Sequence, residues 1–272
     1  MSNFWMRTLS GAVFVTLLIG GVLLGPYTFL SLFFIISILS QLEFYKLAKH
    51  YNVFPSQVIG LINGIALYAI TALILIGQVH LNLILIIIPL TSLIFTVELY
   101  RKTTQPFLNI SITLLGIIYA VIPFVLLALT AFYGSMETGY SPKVILGILF
   151  LQWSSDTGQY LAGRSFGKNP LFKRISPKKS WEGFIGGFIF TLAIAYVISI
   201  YYTDLNIINW MVIGGLIVIF GTLGDLVESM LKRSIDVKDS GNIMPGHGGV
   251  LDRFDGLIGA MPFVYFYIAV FC

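Results

Sequence analysis

Residues Ile110–Tyr133 read ISITLLGIIYAVIPFVLLALTAFY, an apolar run without one charged side chain. Wound as a helix at ~1.5 Å per residue, it is long enough to cross the ~30 Å hydrocarbon core of a bilayer. The rest of the chain repeats the pattern. Runs rich in Leu, Ile and Phe occupy approximately Leu9–Leu24, Tyr27–Leu42, Val58–Ile76, Leu81–Val97, Val144–Leu161, Phe184–Tyr202, Ile207–Leu231 and Leu257–Phe271, which makes nine expected spans. They lack the in/out alternation of outer-membrane strands, and helices satisfy every backbone group within lipid. Composition agrees. Of 272 residues, 57% are hydrophobic and only 10% charged, with a mean hydropathy of +0.91, too apolar for a water-soluble domain. The expected fold is an all-α polytopic membrane bundle. A single domain over 1–272 is the simplest organisation, with N-terminal spans in 1–140 and a motif-bearing half in 141–272.

Basic residues orient the bundle. If the N-terminus is cytoplasmic and the C-terminus outside, every Lys and Arg except Lys143 falls in a cytoplasmic segment, as the positive-inside rule requires. Arg7 precedes an apolar run, but no small-residue cleavage site follows, so the first span reads as a retained anchor. The one cysteine, Cys272, excludes a disulfide framework or Cys-based metal site. The net charge of +4 lies almost wholly on one face and suits a lipid surface or phosphates. Trp5, Trp181 and Trp210 fall near span ends and read as interfacial anchors. Gly214, Gly215, Gly221 and Gly224 read as close helix contacts.

Charge is concentrated in Ser229–Asp255, SMLKRSIDVKDSGNIMPGHGGVLDRFD, between two apolar spans. Such charge beside lipid is expensive unless it performs chemistry. Glu43, Glu98, Glu137 and Asp204 read as ordinary charges at span ends or in connections. The remaining acids are more telling. Asp156 lies in the cytoplasmic half of the sixth span; Asp225 and Glu228 stand one turn apart near the end of the eighth; Asp252 and Asp255 open the ninth. Three helices thus deliver carboxylates to one slab of the membrane. Like charges held together need a cation, and a hard divalent ion that keeps positions for substrate phosphate suits Asp225 and Asp252, with magnesium first. Asp236, Glu182 and Glu228 are equally well explained as structural ion-pair partners.

The same slab is rich in anion-binding groups. Lys232, Arg233, Lys238 and Arg253 flank the acids, and Ser176-Pro177-Lys178-Lys179 adds two cations. Cations interleaved with metal-binding carboxylates suit di- and triphosphates. Lys168, Lys173 and Arg174 read as an ordinary basic loop. In Pro245-Gly246-His247-Gly248-Gly249 the glycines allow backbone N–H groups to curl toward an anion, with the positive end of the following helix beside them. Gly163–Lys168 is not a P-loop: its glycines are too close, no Ser or Thr follows the Lys, and no strand precedes it.

Residues 229–255 read S-x-L-K-R-x4-K-D-x-G-x3-P-x-H-G-G-V-x-D-R-F-D, which resembles the signature of phosphatidate cytidylyltransferases, also called CDP-diacylglycerol synthases, at every fixed position. Asp156–Tyr160, Gly163, Phe166–Lys168, Ile175–Gly183 and Gly224–Ser229 are similar to further blocks of that family. The resemblance lies in the C-terminal half. It implies that CTP and phosphatidate give CDP-diacylglycerol and pyrophosphate with Mg²⁺, and it suggests a homodimer and a second cation.

On that reading Asp225, Asp252 and Asp255 are expected to ligate metal, with Asp156 as a further ligand or neighbour. Lys232, Arg233, Lys238 and Arg253 hold phosphates alongside Asp239, while His247 orients a phosphate or protonates the leaving group. Ser176, Lys178, Lys179, Glu228, Ser229, Gly246, Gly248 and Gly249 are expected at the substrates. The expected partners are CTP, phosphatidate and the bilayer, with no nucleic acid, and the expected location is a bacterial plasma membrane with the site on the cytoplasmic side. Rivals are another lipid-phosphate nucleotidyl- or phosphotransferase, a lipid kinase, or an ion-coupled transporter. A transporter would carry polar residues toward both faces, and a CDP-alcohol phosphotransferase would show a DGxxAR-type run; neither is present.

Overall fold

The computed structural model of the protein describes residues 3–133, 139–241 and 248–272. By internal contacts the chain divides into two compact units. One comprises Met1–Leu129 with Ile235–Arg253, the other Thr130–Ser234 with Phe254–Cys272.

In the first unit, α1 (Asn3–Leu23) and α2 (Pro26–Ala48) are joined at Gly25, whose φ of 122° is open to glycine but costly for other residues. Pro26 then starts α2 where no intrahelical N–H is needed. Against α2 pack α3 (Gln57–Leu75) and α5 (Pro106–Ala120). Tyr45 of α2 fills the space between them. It is fully buried, its hydroxyl donates to the Thr113 carbonyl at 2.7 Å, and it accepts from Gln41 Nε2 at 3.0 Å. Gly60 and Gly116 lie against the Tyr45 side chain so closely that a Cβ at either would overlap it. α4 (Ile87–Tyr100) continues from a 3-10 turn over Leu81–Ile86.

Glu98 shows how this unit handles a buried charge. Read from the sequence as an ordinary end charge, it is only 2% exposed. It accepts from Ser56 Oγ at 2.8 Å, Arg101 at 2.6 Å, Thr103 Oγ1 at 2.8 Å and Asn109 Nδ2 at 2.7 Å. The end of α4 is thereby tied to the starts of α3 and α5. A buried carboxylate is tolerated because its lone pairs are met.

The second unit is built on α7 (Pro142–Phe166), α8 (Trp181–Tyr201), α9 (Ile207–Ser234) and the greater part of α10 (Leu251–Phe271). Glycine brings the backbones together. A Cβ on Gly158 would stand 3.0 Å from the Gly187 Cα, and one on Gly224 would stand 2.8 Å from the Gly259 Cα, so α7 meets α8 and α9 meets α10 almost backbone to backbone. The expected contacts at Gly221 and Gly224 are therefore present, against α10 and Gln152, while Gly214 packs on Ala195 and Gly215 on Phe188.

Each expected span falls on helix. Among the described residues seven helices are long and apolar enough to cross a membrane. The other two expected spans lie in α1 and α7. α10 begins at Leu251 and opens with Asp252 and Asp255, as expected. Three details differ from expectation. Ile110–Tyr133 is broken at Val121, where α5 gives way to α6 (Ile122–Ala131), because Pro123 lacks the N–H that would continue the ladder. A hairpin of β1 (Pro170–Phe172) and β2 (Ser176–Ser180) interrupts the all-helical pattern, in a Pro- and Lys-containing connection that has no helical periodicity. Trp210 is 0% exposed, its indole N–H donates to the Tyr202 carbonyl at 2.9 Å, and its ring lies against Gly147. It is a core residue rather than an interfacial anchor. Trp181 is half exposed, and the Trp5 side chain lies outside the described residues.

Replacing Glu98 with Ala would leave four donors facing an apolar gap, a loss of about 1–3 kcal/mol. The melting temperature of the detergent-purified protein should fall by several degrees, and an unchanged melting curve would contradict the role given to this cluster.

Candidate active site

A cleft of about 400 Å³ opens in the second unit where α7, β2, the start of α8 and α9 converge. Asp156, Tyr160 and Arg164 recur at i, i+4, i+8 on one face of α7, and all three line it. β2 contributes Lys178, Lys179 and Ser180; α8 contributes Gly183 and Phe184; α9 contributes Asp225. The glycines matter here. A side chain on Gly183 would come 2.9 Å from the Gln159 carbonyl, so the start of α8 can lie against α7 only without one.

Side-chain ties fix this arrangement. Gln159 Nε2 donates to Ser155 Oγ and to Thr222 Oγ1, each at 2.9 Å, binding α7 to α9 one turn before Asp225. Ser180 caps α8 by accepting from the Gly183 N–H at 3.1 Å. Glu182, in the first turn of α8, accepts from the Lys168 N–H at 3.1 Å and from Asn169 Nδ2 at 2.6 Å, which secures the entry to the hairpin.

Asp225 stands at the centre. Lys179 Nζ is 2.5 Å from Asp225 Oδ2, with both side chains partly exposed, and Ser229 Oγ donates to Asp225 Oδ1 at 3.1 Å. Asp156 receives Gln152 Nε2 at 3.3 Å. Asp255 accepts from the Gly256 N–H at 2.7 Å and lies within electrostatic reach of Asp225, Asp156 and Lys232. One turn beyond Asp225, Glu228 is completely buried and pairs with Lys232 at 3.1 Å, itself only 8% exposed. Three aspartates, Asp225, Asp156 and Asp255, are thus flanked by Lys179 and by the Lys232–Glu228 pair. Among the described residues no three His, Cys, Asp or Glu side chains approach closely enough to enclose an ion by themselves.

Residues Ile235–Arg253 of the motif segment belong to the first unit. Asp252 Oδ2 accepts from the Ser240 N–H at 2.8 Å, Ser240 Oγ at 2.9 Å and the Gly249 N–H at 2.8 Å. Gly248, with φ of 86°, packs beside Asp252 and Asp239. The expectation that these glycines turn N–H groups toward an anion and that α10 presents its positive end there meets a specific outcome. The anions on the Gly249, Val250 and Leu251 N–H groups are the chain's own carboxylates, Asp252 and Glu43. Glu43, read as an ordinary end charge, is fully buried.

Of the other expected residues, Ser176 lies half-buried on β2, and Arg233, Lys238, Asp239 and Arg253 are exposed. Gly246 and His247 lie outside the described residues. Lys173 and Arg174 sit exposed between the two strands. Sequence reasoning missed Gln159, Tyr160, Arg164, Ser180 and Phe184 as cleft-lining residues. The i, i+4, i+8 recurrence after Asp156 was the available signal for Tyr160 and Arg164.

The sequence profile of the cytidylyltransferase family matches residues 5–271, nearly the whole chain. The chain belongs to that family. Similar members include a phosphatidate cytidylyltransferase of Bacillus subtilis, 50% identical over 120 residues, covering 44% of this chain and 45% of that protein. One from Haemophilus influenzae is 45% identical over 133 residues, 47% of this chain and 46% of that protein. One from Staphylococcus aureus is 38% identical over 178 residues, 65% of each chain. The chain thus aligns with between about half and two thirds of the length of these curated relatives.

Glu182→Ala should free the N–H groups it holds. Hydrogen exchange at Lys168 and Asn169 is expected to accelerate about tenfold or more while the middle of α7 is unaffected; unchanged exchange would remove Glu182 as the anchor of the hairpin.

Proposed function

We propose that this cytidylyltransferase-family protein joins CTP to phosphatidate, giving CDP-diacylglycerol and pyrophosphate at the cytoplasmic face of a bacterial plasma membrane. The observation that carries the reading is the partly exposed Asp225–Lys179 pair in a cleft that also presents Asp156, Lys178 and Arg164. A lone phosphate would need cations only. Carboxylates set among those cations suit a nucleotide that arrives with a divalent ion.

Mg²⁺ fits the donor set. Asp225 and Asp156 line the cleft with hard oxygens, with Asp255 within electrostatic reach of both, and Mg²⁺ binds through one or two carboxylates, with water and substrate phosphates completing its shell. Asp225 and Asp255 are the ligands favoured here. Asp252 is retained as a ligand on the family resemblance, and a second cation belongs to the same reading. When bound, the ion neutralises phosphate charge.

The residues of the chain account for the remaining work. Lys178, Lys179 and Arg164 hold phosphate oxygens, and the family resemblance assigns Arg233, Lys238 and Arg253 to phosphates as well. The phosphatidate phosphate is already anionic near neutral pH, so its oxygen attacks the α-phosphorus of CTP without a strong base. A new P–O bond forms as the bond to the β-phosphate breaks, and pyrophosphate leaves with the electron pair. Catalysis is then mainly positioning and charge neutralisation. His247 orients a phosphate or supplies a proton to the leaving group. Nine spans with the N-terminus inside, and a homodimer, complete the proposal.

Purified protein incubated with labelled CTP, phosphatidate and Mg²⁺ should yield lipid-soluble cytidine label and pyrophosphate. Label transfer from the γ-phosphate would indicate a lipid kinase instead, and no lipid label would refute the reading. Asp225→Asn and Asp255→Asn should each lower turnover by about 100-fold or more while the protein remains folded. Lys173→Ala should keep near-normal activity, since that side chain lies outside the cleft.

A further inference from the structure

We propose that Glu43 is a positioning residue for the motif segment, holding the backbone at Ser240 and Val250–Leu251 so that Asp252 is presented in one orientation; this rests on the cytidylyltransferase reading above. Glu43 comes from α2, 197 positions before Ser240, and nothing in the sequence around it marks it as functional.

The geometry is specific. Glu43 is 0% exposed. Its Oε1 accepts from the Val250 N–H at 3.0 Å, and its Oε2 accepts from the Leu251 N–H at 2.8 Å and from Ser240 Oγ at 3.1 Å. Those backbone donors stand at the beginning of α10, where no intrahelical carbonyl is available to them. A negative charge there is also favoured by the helix dipole. Gly241 and Gly249 pack directly on the Glu43 carboxylate, and a Cβ at either would overlap it. The segment is therefore shaped around this side chain.

Ser240 links Glu43 to Asp252. Its hydroxyl lies 3.1 Å from Glu43 Oε2 and 2.9 Å from Asp252 Oδ2, yet a hydroxyl has one proton to donate. Two carboxylates at one hydroxyl repel each other. Backbone donors offset that repulsion: Ser240 and Gly249 serve Asp252, while Val250 and Leu251 serve Glu43. Removing the charge at residue 43 leaves donors unmet at the start of α10 and frees Ser240 to turn. Asp252 then loses its fixed orientation without losing its own carboxylate.

Glu43→Gln keeps the size of the side chain but places an amide against a backbone N–H. Loss of a residue that supports a metal ligand typically lowers affinity or activity by about 10–100-fold. The expected result is a fall in kcat of that order, with the phosphatidate KM little changed and the Mg²⁺ concentration for half-maximal rate raised several-fold. Hydrogen exchange at Ser240 and Gly249–Leu251, measured without substrate or metal, should accelerate. Glu98→Gln, a buried carboxylate in a separate cluster, should leave kcat and the Mg²⁺ response near normal.

A role in folding alone would reduce the amount of active protein and leave the Mg²⁺ response unchanged, which would overturn the proposal. If Glu43→Gln fails to fold, Ser240→Ala decides. A smaller shift of the Mg²⁺ response in the same direction supports the proposal, and none overturns it. Should the native protein make no CDP-lipid, the functional reading fails by itself, and exchange at Ser240 and Gly249–Leu251 still reports whether Glu43 holds the segment.

Discussion

Charge placed among apolar helices must be met by charge or by hydrogen-bond donors, and the Asp225–Lys179 pair is where that constraint shapes the candidate site. A carboxylate on a membrane helix is costly when isolated. Here the second unit surrounds Asp225 with Lys179 and Ser229, places Asp255 within reach of Lys232, and pairs Lys232 with Glu228. The partners come from different elements, so those elements have to approach closely. Gly158 against Gly187 and Gly224 against Gly259 provide that approach. Without these glycines the side chains that line the cleft could not converge.

The first unit solves the same problem with hydrogen-bond donors. Glu98 and Glu43 are both buried, and each is surrounded by donors rather than by water. Their consequences differ. Glu98 gathers the ends of α3, α4 and α5, which contributes stability. Glu43 instead gathers the backbone of the motif segment, so a stabilising contact also determines how Asp252 is held. Buried carboxylates are weak sources of net stability; their value here is to specify one arrangement.

Much of this was legible in the sequence because lipid allows few structures. Nine apolar runs could only be helices, and each falls on helix. The break at Val121 was signalled by Pro123 but obscured by the unbroken hydrophobicity around it. Trp210 misled because position near a span end does not say which way a ring points. In the site, Asp156, Lys178, Lys179 and Asp225 were recognisable as charge that lipid would not tolerate without purpose, and the structure gathers them in one cleft. Tyr160 and Arg164 were missed, although helical spacing places them beside Asp156. Glu43 could not be assigned from sequence at all, since its partners are backbone N–H groups some two hundred positions away and local pattern carries no trace of them.

The proposed function has Asp225 and Lys179, an ion pair in that cleft, acting together in catalysis. A double-mutant cycle on lipid-linked cytidine formation tests it most directly, using Asp225→Asn, Lys179→Met and the two combined. The account predicts severe loss in each single variant and little further loss in the double, because groups that act together are strongly non-additive. Independent losses that multiply in the double variant, or a single variant with near-native turnover, would contradict it.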